Sequence, residues 1–513
     1  MDIRQQQGLG QASTEATSER RAGRREWVAL AVLMLPVLLI AIDNTVLGFA
    51  LPQIALDLEP TAAEQLWIVD AYSLVLAGLL VAMGGLGDRF GRRRMLLIGA
   101  TGFALVSVLA AFAPTAAALI AARAALGFFG AMLMPSTLSL IRSTFPHRGD
   151  RRLAIAVWAT AFSVGSAVGP TVGGLLLEHF AWGSVFLMAV PVLLPLLVLA
   201  PLLVRESRDP NPGRLDPIGV VLSIAALGAL AAGIKHLAVD GLDLVALGLA
   251  VLAVAAGWAF VRRMRAAASP MLDIDLLRIP AFSGAIAINL LSVMALVGAL
   301  FFLTQHLQLV DGLSTLDAAL LLVPGTIAMV ATGLGVVALV RHMPAHRVVA
   351  LGLASSMAGY LVVALAGDAL SPFHVAIAYG LLGAGVGAAE TLSNEIVVST
   401  APPERAGAAS AVSETAYELG AVLGTAVLGG VVSAVYRSSL ALPAGVGAAD
   451  GAAARETLAG ALDVAERLPA PLGEALAEAA KAAFDAGALA TALTGAALMA
   501  AAIVVALRAL RRA

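Results

Sequence analysis

Charge and cysteine are scarce in this sequence, and each shortage excludes a class of protein. Only 13% of the 513 residues are charged, whereas a soluble protein carries about 25%. The mean hydropathy of +0.92 indicates that most of the surface faces lipid. The absence of cysteine excludes disulfides, cysteine-ligated zinc and thiol chemistry. Because the sequence contains no phosphate-binding loop or metal-ligand motif, we expect neither ATP hydrolysis nor a bound cofactor, and no nucleic-acid partner.

Long apolar runs repeat along the whole chain. A membrane-spanning helix needs about 20 mostly apolar residues, and fourteen such runs are present. The sequence therefore predicts an all-α polytopic membrane protein. The predicted spans are residues 27–50, 64–87, 94–113, 115–141, 153–178, 183–204, 215–237, 241–262, 281–309, 316–340, 347–366, 372–399, 404–436 and 485–509.

The placement of basic residues tests this count, because cytoplasmic loops carry an excess of Lys and Arg. Every even-numbered connection is basic, whereas Lys235 is the only basic residue in the odd-numbered connections before the loop at 437–484. This alternation predicts an even number of spans in a bacterial inner (cytoplasmic) membrane, with both termini in the cytoplasm. The arginines of the even connections are Arg89, Arg92, Arg93, Arg94, Arg142, Arg148, Arg151, Arg152, Arg205, Arg208, Arg214, Arg262, Arg263, Arg265, Arg278, Arg341, Arg347 and Arg405.

The basic connections after spans two and ten occupy similar places and indicate a repeated unit. We therefore expect six-helix halves at 27–204 and 279–513, with an inserted pair of spans at 205–278. The first 26 residues are polar, are expected to be disordered and do not resemble a cleaved signal peptide.

The loop 437–484 is expected on the outside. Its alanine-rich stretches, about 452–468 and 471–484, predict two short helices joined at Pro469–Pro471. Such a helical hairpin would serve as a lid over an outer opening; the alternative is a solvated spacer.

After span two the chain reads GGLGDRFGRRRML. This run resembles the loop 2–3 signature of the major facilitator superfamily, G-x-L-a-D-r-x-G-r-[KR]-x-x-L, at every defined position but the alanine. Ordinary loop charge explains the arginines, but not the register of the glycines and the aspartate. The resemblance implies that this connection holds neighbouring helices in one conformation. The residues that carry it are Gly84, Asp88, Arg89, Gly91 and Arg92.

Span five contains GSAVGPTVGG, which resembles the antiporter motif of the same superfamily, g-x-x-x-G-P-x-x-G-G. Small residues permit close helix packing, and a proline removes a backbone donor and bends the helix. The alternative is an ordinary glycine-rich packing face. The motif residues are Gly165, Gly169, Pro170, Gly173 and Gly174.

Four further segments resemble the fourteen-helix branch of drug:proton antiporters: IDNTV in span one, WIVDAYSL in span two, AARAALG in span four and SETAYELG in span thirteen. The resemblance implies a major facilitator fold of two six-helix bundles plus two central helices, no enzyme activity, protons as the coupling ion and a monomer. It further implies export of lipophilic, often cationic compounds such as dyes, quaternary ammonium compounds and fluoroquinolones.

Ionisable side chains inside the spans need an explanation, since a charge near the bilayer centre costs at least about 2.5–3.5 kcal/mol. They are expected to face a water-filled interior or to pair with one another. A protonated carboxyl is cheaper to bury than a carboxylate, so burial itself favours proton binding. These residues are Asp43, Asp70, Arg123, Glu390, Glu395, Glu414 and Glu418.

Proton coupling is assigned to Asp43, Arg123 and Glu414. For Asp43 the alternative is a hydrogen bond to Asn44 or Thr45 in helix packing. For Arg123 the alternative is a purely structural ion pair.

Substrate binding is assigned to carboxylates and aromatic rings in spans two, twelve and thirteen. Asp70 is expected near the outer end of span two, where the alternative is a solvated carboxylate. Glu414 and Glu418 are four residues apart and share a helix face, so Glu414 is assigned to the cation and Glu418 to a neighbour. His306 is interpreted as interfacial. The predicted substrate residues are Asp70, Trp67, Tyr72, Glu414, Tyr417 and Glu390.

Three other functions compete with multidrug export. An exporter dedicated to one native metabolite or antibiotic would keep all the motifs. A nutrient symporter would have no use for the antiporter motif. A membrane sensor or enzyme would need a soluble domain, and the sequence contains none.

Overall fold

The computed structural model describes residues 21–208, 216–239, 241–267, 274–400 and 406–512. Within them the regular secondary structure is helical throughout, which confirms the predicted all-α class. Most of the N-terminal segment, Arg214 and Arg405 lie outside the described residues.

The predicted spans correspond one to one to long helices in the described part of the chain. Thirteen of these helices are long and apolar enough to cross a membrane, and α5 corresponds to the remaining predicted span with 32 residues. A π-helical segment, His306–Val310, continues α9; the segments Gly424–Gly429 and Gly430–Ser439 continue α13. The helices are α1 Arg24–Leu58, α2 Ala62–Phe90, α3 Arg92–Ala111, α4 Ala116–Thr144, α5 Arg148–His179, α6 Ser184–Leu203, α7 Pro217–Val239, α8 Leu244–Ala266, α9 Pro280–Gln305, α10 Thr315–Leu339, α11 Ala345–Ala366, α12 Pro372–Thr400, α13 Ala406–Leu423, α14 Ala448–Glu456, α15 Leu458–Arg467 and α16 Ala470–Ala509.

The start of α1 meets the start of α5 and the end of α6 at one end of the bundle, which we call the basic end. The Ala22 backbone N–H donates to Asp150 Oδ2 at 2.7 Å, and the Arg25 side chain donates to the Leu202 carbonyl at 2.7 Å. The opposite end carries α14 and α15 and is called the hairpin end. This arrangement agrees with the alternation of the arginine-rich connections.

Hydroxyl side chains mark where helices start at the hairpin end. Thr61 Oγ1 accepts from the Glu64 N–H at 3.2 Å, and Glu64 Oε2 accepts from the Thr61 N–H at 3.0 Å, a reciprocal capping box. Thr115 and Ser314 cap α4 and α10. Side chains thus supply hydrogen bonds to backbone groups at the helix ends. Within the spans, the backbone groups form hydrogen bonds with one another along each helix.

The loop 437–484 differs from the predicted hairpin. Thr457 separates α14 from α15 and caps α15, and residues 471–484 begin the 40-residue α16. The prediction of a separate second arm is wrong because its Ala, Leu and Glu residues are strong helix formers and run into the last span without a breaker. The segment is not a solvated spacer either, because α15 buries Leu458 and Val464.

Helix α7, the first of the two predicted inserted spans, lies where the N-terminal and C-terminal halves meet. We call this boundary the seam. Ser223 donates to the Gly78 carbonyl of α2 at 3.3 Å, and Trp67 of α2 packs in a cluster with Val422 of α13. Helix α8 packs outside α7 and leaves apolar side chains uncovered, with Trp258 62% exposed. An apolar exposed surface of this kind suits contact with lipid.

Candidate functional site

A buried ion pair joins α1 to α4 inside the N-terminal half. Arg123 Nη1 donates to Asp43 Oδ2 at 2.7 Å, and the two side chains are 2% and 5% exposed. Arg123 Nε also donates to the Ile68 carbonyl of α2 at 3.1 Å, and the guanidinium lies 4.7 Å from the centre of the Tyr72 ring. One arginine therefore connects three helices. Asp43 pairs with it, and not with the neighbouring polar side chains of its own helix.

A cavity of about 100 Å³ lies beside this ion pair, between the two halves. This volume has room for several water molecules. Asp70 and Glu390 bring carboxylates to its wall from opposite halves, and Phe162, Tyr379 and Tyr417 bring aromatic rings. Rings and carboxylates together attract a cation with apolar substituents.

Three carboxyl groups of the C-terminal half, Glu390, Glu414 and Glu418, form no ion pair like that of Asp43 in the described part of the chain. Glu390 Oε1 and Glu418 Oε2 are buried and have no hydrogen-bond partner among the described residues. Ser73 of α2 forms a hydrogen bond with Glu418, which brings this carboxyl group to the seam. Glu414 lies one turn away toward the basic end, and neither Glu418 nor Glu414 is among the residues that line the cavity.

The predicted substrate residues separate into two groups. Asp70 is 1% exposed and lines the cavity, so it is not a solvated surface carboxylate. Tyr417 also lines the cavity and meets Phe162 of α5 edge-on at 5.7 Å between ring centres. Trp67 and Tyr72 are not on the cavity wall. Trp67 packs against α7, and the Tyr72 ring lies against the guanidinium of Arg123.

Some residues of the site were missed in the sequence. Tyr379 precedes Glu390 by eleven residues, about three helical turns, so the sequence spacing could have predicted that they share a face of α12. The role of Asn289 could not be predicted, because its partners lie far along the chain. Its Nδ2 donates to Asn394 Oδ1 at 2.9 Å and to Ser413 Oγ at 3.0 Å. This polar trio ties α9, α12 and α13 together below the cavity.

The motif in α5 packs against both halves. An added Cβ on Gly169 would overlap the Thr45 side chain of α1, and one on Gly174 would lie 2.9 Å from Leu316 Cα of α10. Pro170 lies between them inside the helix. Glycine is thus needed here for close approach, both within the N-terminal half and across the seam.

The motif between α2 and α3 packs inside the N-terminal half. Arg92 pairs with Asp88 at 2.8 Å. Glu206, after α6, accepts from the Arg93 backbone N–H at 2.9 Å, where the positive end of the α3 dipole favours a carboxylate. Gly91 has φ 114°, and a Cβ there would lie 2.8 Å from the Glu206 carboxyl carbon.

Direct contacts close the seam toward the hairpin end. Thr304 Oγ1 of α9 donates to the Gly48 carbonyl of α1 at 3.1 Å. Gln53 of α1 approaches Thr315 of α10 at 3.5 Å. With the Gly174 contact, these interactions hold the two halves together at that end.

Comparison with known proteins agrees with this arrangement. Residues 33–425 match the Major Facilitator Superfamily. The chain is 53% identical to the multidrug efflux pump LfrA of Mycolicibacterium smegmatis, over 96% of this chain and 98% of that protein. It is 35% identical to the methyl viologen resistance protein SmvA of Salmonella typhimurium, over 90% and 93%. It is 34% identical to the tetracenomycin C resistance and export protein of Streptomyces glaucescens, over 82% and 78%.

Solved structures give the same fold. A bacterial homologue of the human lysosomal transporter Spinster superposes with a TM-score of 0.64 at 17% identity, covering 95% of this chain and 98% of that one. A POT family transporter superposes with a TM-score of 0.61 at 14% identity, over 93% and 94%. The helices, the seam cavity, the two motifs and these similarities together assign the chain to the major facilitator superfamily of membrane transporters.

Proposed function

We propose that the protein is a proton-coupled exporter of lipophilic, often cationic compounds. The observation that carries this proposal is Glu390. Its Oε1 is buried without a hydrogen-bond partner in the described part of the chain, in a cavity that also contains the Tyr379 and Tyr417 rings. A cation with an aromatic or alkyl body would supply the missing partner.

Competition for the same carboxylates couples the drug to the proton. A carboxyl buried without a cation is more stable when protonated, and a drug cation binds only the ionised form. Proton binding and drug binding therefore exclude one another at Glu390, Glu414 or Glu418. The Asp43–Arg123 pair lies beside the cavity and would respond to charge changes across the seam.

Rocking of the two halves would expose the cavity to alternate sides. The arginine-rich connections favour a cytoplasmic location for the basic end, so the contacts of Thr304 and Gln53 would close the outside. Protons would enter from outside, and release to the cytoplasm would leave the carboxylates free for a cation.

Energetics limit the stoichiometry. Exchange of one proton for one monovalent cation is electroneutral, so only the pH difference drives it, at about 1.36 kcal/mol per unit. A second proton would add about 2.3 kcal/mol per 100 mV of membrane potential. Separate carboxyl groups near the cavity make a second proton feasible.

We expect ethidium, acriflavine-like dyes, quaternary ammonium compounds and fluoroquinolones among the substrates. Similarity to proteins named for multidrug efflux and methyl viologen resistance supports a broad, cationic range. The second candidate is an exporter dedicated to one native compound, which similarity to the tetracenomycin C export protein favours.

Ethidium efflux from energised cells tests the proposal, with and without a protonophore. We expect protonophore-sensitive efflux that is abolished by Glu390→Gln, Glu414→Gln and Asp43→Asn. Glu395→Gln is the matched control, because Glu395 lies on the same helix but is exposed; this variant should transport normally. If the correctly inserted protein moves no ethidium, the dedicated exporter becomes the better proposal. Efflux that survives all three substitutions would overturn the site.

A further inference from the structure

A second group of ionisable side chains lies at the hairpin end, outside the cavity. His306 begins the π-helical segment at the end of α9 and is 1% exposed. Asp485 Oδ1 of α16 lies 3.1 Å from its Nδ1, and Asp311 Oδ2 lies 3.6 Å from its Nε2. The interpretation of His306 as an interfacial residue is therefore wrong, because the α9–α10 connection and α16 enclose it.

We call His306, Asp311, Lys481 and Asp485 the His306 cluster. Lys481 Nζ donates to the carbonyl of Val310 at 3.0 Å. Val310 is the last residue of the π-helical segment. Burial raises the pKa of Asp311 above its ordinary value and the Asp485 charge raises it further, while His306 and Lys481 oppose this effect.

Other charged residues on the neighbouring helices face away from the cluster. Asp317 on α10 is exposed and accepts from the Ser314 hydroxyl at 2.8 Å. Glu474 and Glu478 on α16 are also exposed. The balance of charge around the ring is therefore set by the cluster itself.

The arrangement fits a protonated ring. A neutral imidazole has one donor and one acceptor nitrogen, whereas only the imidazolium donates from both. Each nitrogen of His306 lies near a carboxylate oxygen, and these four atoms have no hydrogen-bond partner in the described ranges. Because the carboxylates lie at opposite edges of the ring, a metal ion could not bridge them, whereas one added proton serves both.

The same turn of α9 also holds the two halves together. Thr304, two residues before the histidine, donates to the Gly48 carbonyl of α1. Gln308, two residues after it, approaches the Phe49 carbonyl at 3.5 Å. The shape of this turn therefore controls contacts across the seam, and π-helical turns are frequent at functional sites.

We propose that His306, Asp311 and Asp485 form a proton-binding site that holds the hairpin end closed when it is occupied. Loss of the proton leaves two carboxylates facing a neutral ring, which releases the turn and its contacts to α1. Asp311 and Asp485 are 18% and 17% exposed, so the site can exchange protons with solvent at the hairpin end. The site goes beyond the proposed efflux function and does not involve the cavity carboxylates.

Distance measurement between spin labels tests this site directly. The absence of native cysteine allows Leu56→Cys on α1 and Leu320→Cys on α10 to be labelled without background, and both positions are about half exposed. We expect the closed population to grow as pH is lowered from about 8 to about 5.5, across the range where histidine titrates. If closure increases proton affinity about tenfold, linkage changes the closed-to-open ratio by about tenfold.

His306→Gln should abolish this pH response, and the matched control His374→Gln should keep it. His374 also lies at the hairpin end, with its Nδ1 2.8 Å from the Ser371 hydroxyl. If His306→Gln does not purify as a folded protein, Asp485→Asn serves instead and should move the transition to lower pH. A pH response that is unchanged in His306→Gln or in folded Asp485→Asn would overturn the proposal. Because no drug is present, failure of ethidium transport would leave this result unaffected.

Discussion

Buried carboxyl groups near the cavity differ in whether a basic side chain accompanies them. In the N-terminal half, Asp43 lies 2.7 Å from Arg123, and both are almost fully enclosed. In the C-terminal half, Glu390 and Glu418 each retain a buried oxygen without a hydrogen-bond partner among the described residues. A paired carboxylate is held ionised by its partner, whereas an unpaired one can exchange a proton for an external cation. The contrast is therefore between a carboxylate that folding provides with a cation and carboxyl groups that it does not.

The largest expected effect comes from breaking the pair. Arg123→Met leaves Asp43 buried without its cation, which should lower the free energy of unfolding by about 3–5 kcal/mol. Denaturant unfolding of the purified protein measures this loss, and the double variant Asp43→Asn/Arg123→Met should recover most of it. The exposed Arg89→Met is the control and should change stability little. Equal losses in the single and double variants would show that the pair is not the cause.

The second prediction concerns the unpaired carboxylates. Glu390→Gln should change the free energy of unfolding by no more than about 1 kcal/mol, since no partner is left unsatisfied. The same substitution should weaken ethidium binding at least about tenfold, or 1.4 kcal/mol. Fluorescence titration and denaturant unfolding of the same preparation check both values. A stability loss as large as that of Arg123→Met would remove the distinction between Asp43 and Glu390.

A third prediction concerns Asp311, which is less buried than Asp43 and lies near both an acidic and a basic side chain of the His306 cluster. Because burial raises its pKa in the folded protein, its contribution to stability is complete below the ordinary value of about 3.9. The contribution is lost as pH rises through the raised value. Asp311→Asn should therefore remove the fall in stability between the ordinary and the raised pKa of this carboxyl, which thermal unfolding across pH measures. A profile parallel to that of the unsubstituted protein would contradict this assignment.

The smallest effect on stability is expected for a solvent-exposed ion pair. Asp243 caps α8 and lies 2.9 Å from His236; the Ala246 backbone N–H and then His236 hold its pKa below the ordinary value. Stability from Asp243 is thus present above the ordinary pKa and is lost as pH falls through the lowered one. Solvent screens this exposed pair, so Asp243→Asn should barely move the thermal transition at pH 7. A shift comparable to that of Arg123→Met would contradict the role given to burial.

Part of the site was predictable from local sequence. The motifs from Gly84 to Arg92 and from Gly165 to Gly174 are contiguous, and the structure places each at a close helix contact. Tyr379 and Glu390 share a helix face by spacing alone. By contrast, Trp67 and Tyr72 were assigned to the substrate because they flank Asp70 in sequence. Tyr72, two residues from Asp70, points about 200° away around the helix. Trp67, three residues from Asp70, is drawn into the cluster with Ala231 of α7, so closeness in sequence does not place side chains in one cavity.

The helical arms of the loop 437–484 show a similar limit. Helix propensity correctly indicated helices there, but the boundary between a loop helix and a span depends on where the chain packs. Residues 471–484 continue into α16 because nothing in their composition interrupts the helix. Length and composition alone could not separate these two possibilities.

The sequence by itself determined the number of spans, their alternating direction and the superfamily. Each of these depends on local features: apolar runs long enough for a bilayer, arginines beside them and contiguous motifs. Only the tertiary structure decided that Asp43 pairs with Arg123, 80 residues away, that Glu390 faces the cavity while Glu395 is exposed, and that His306 is enclosed by two carboxylates. The physical reason is that the charge state of a buried group depends on partners that folding brings from distant helices.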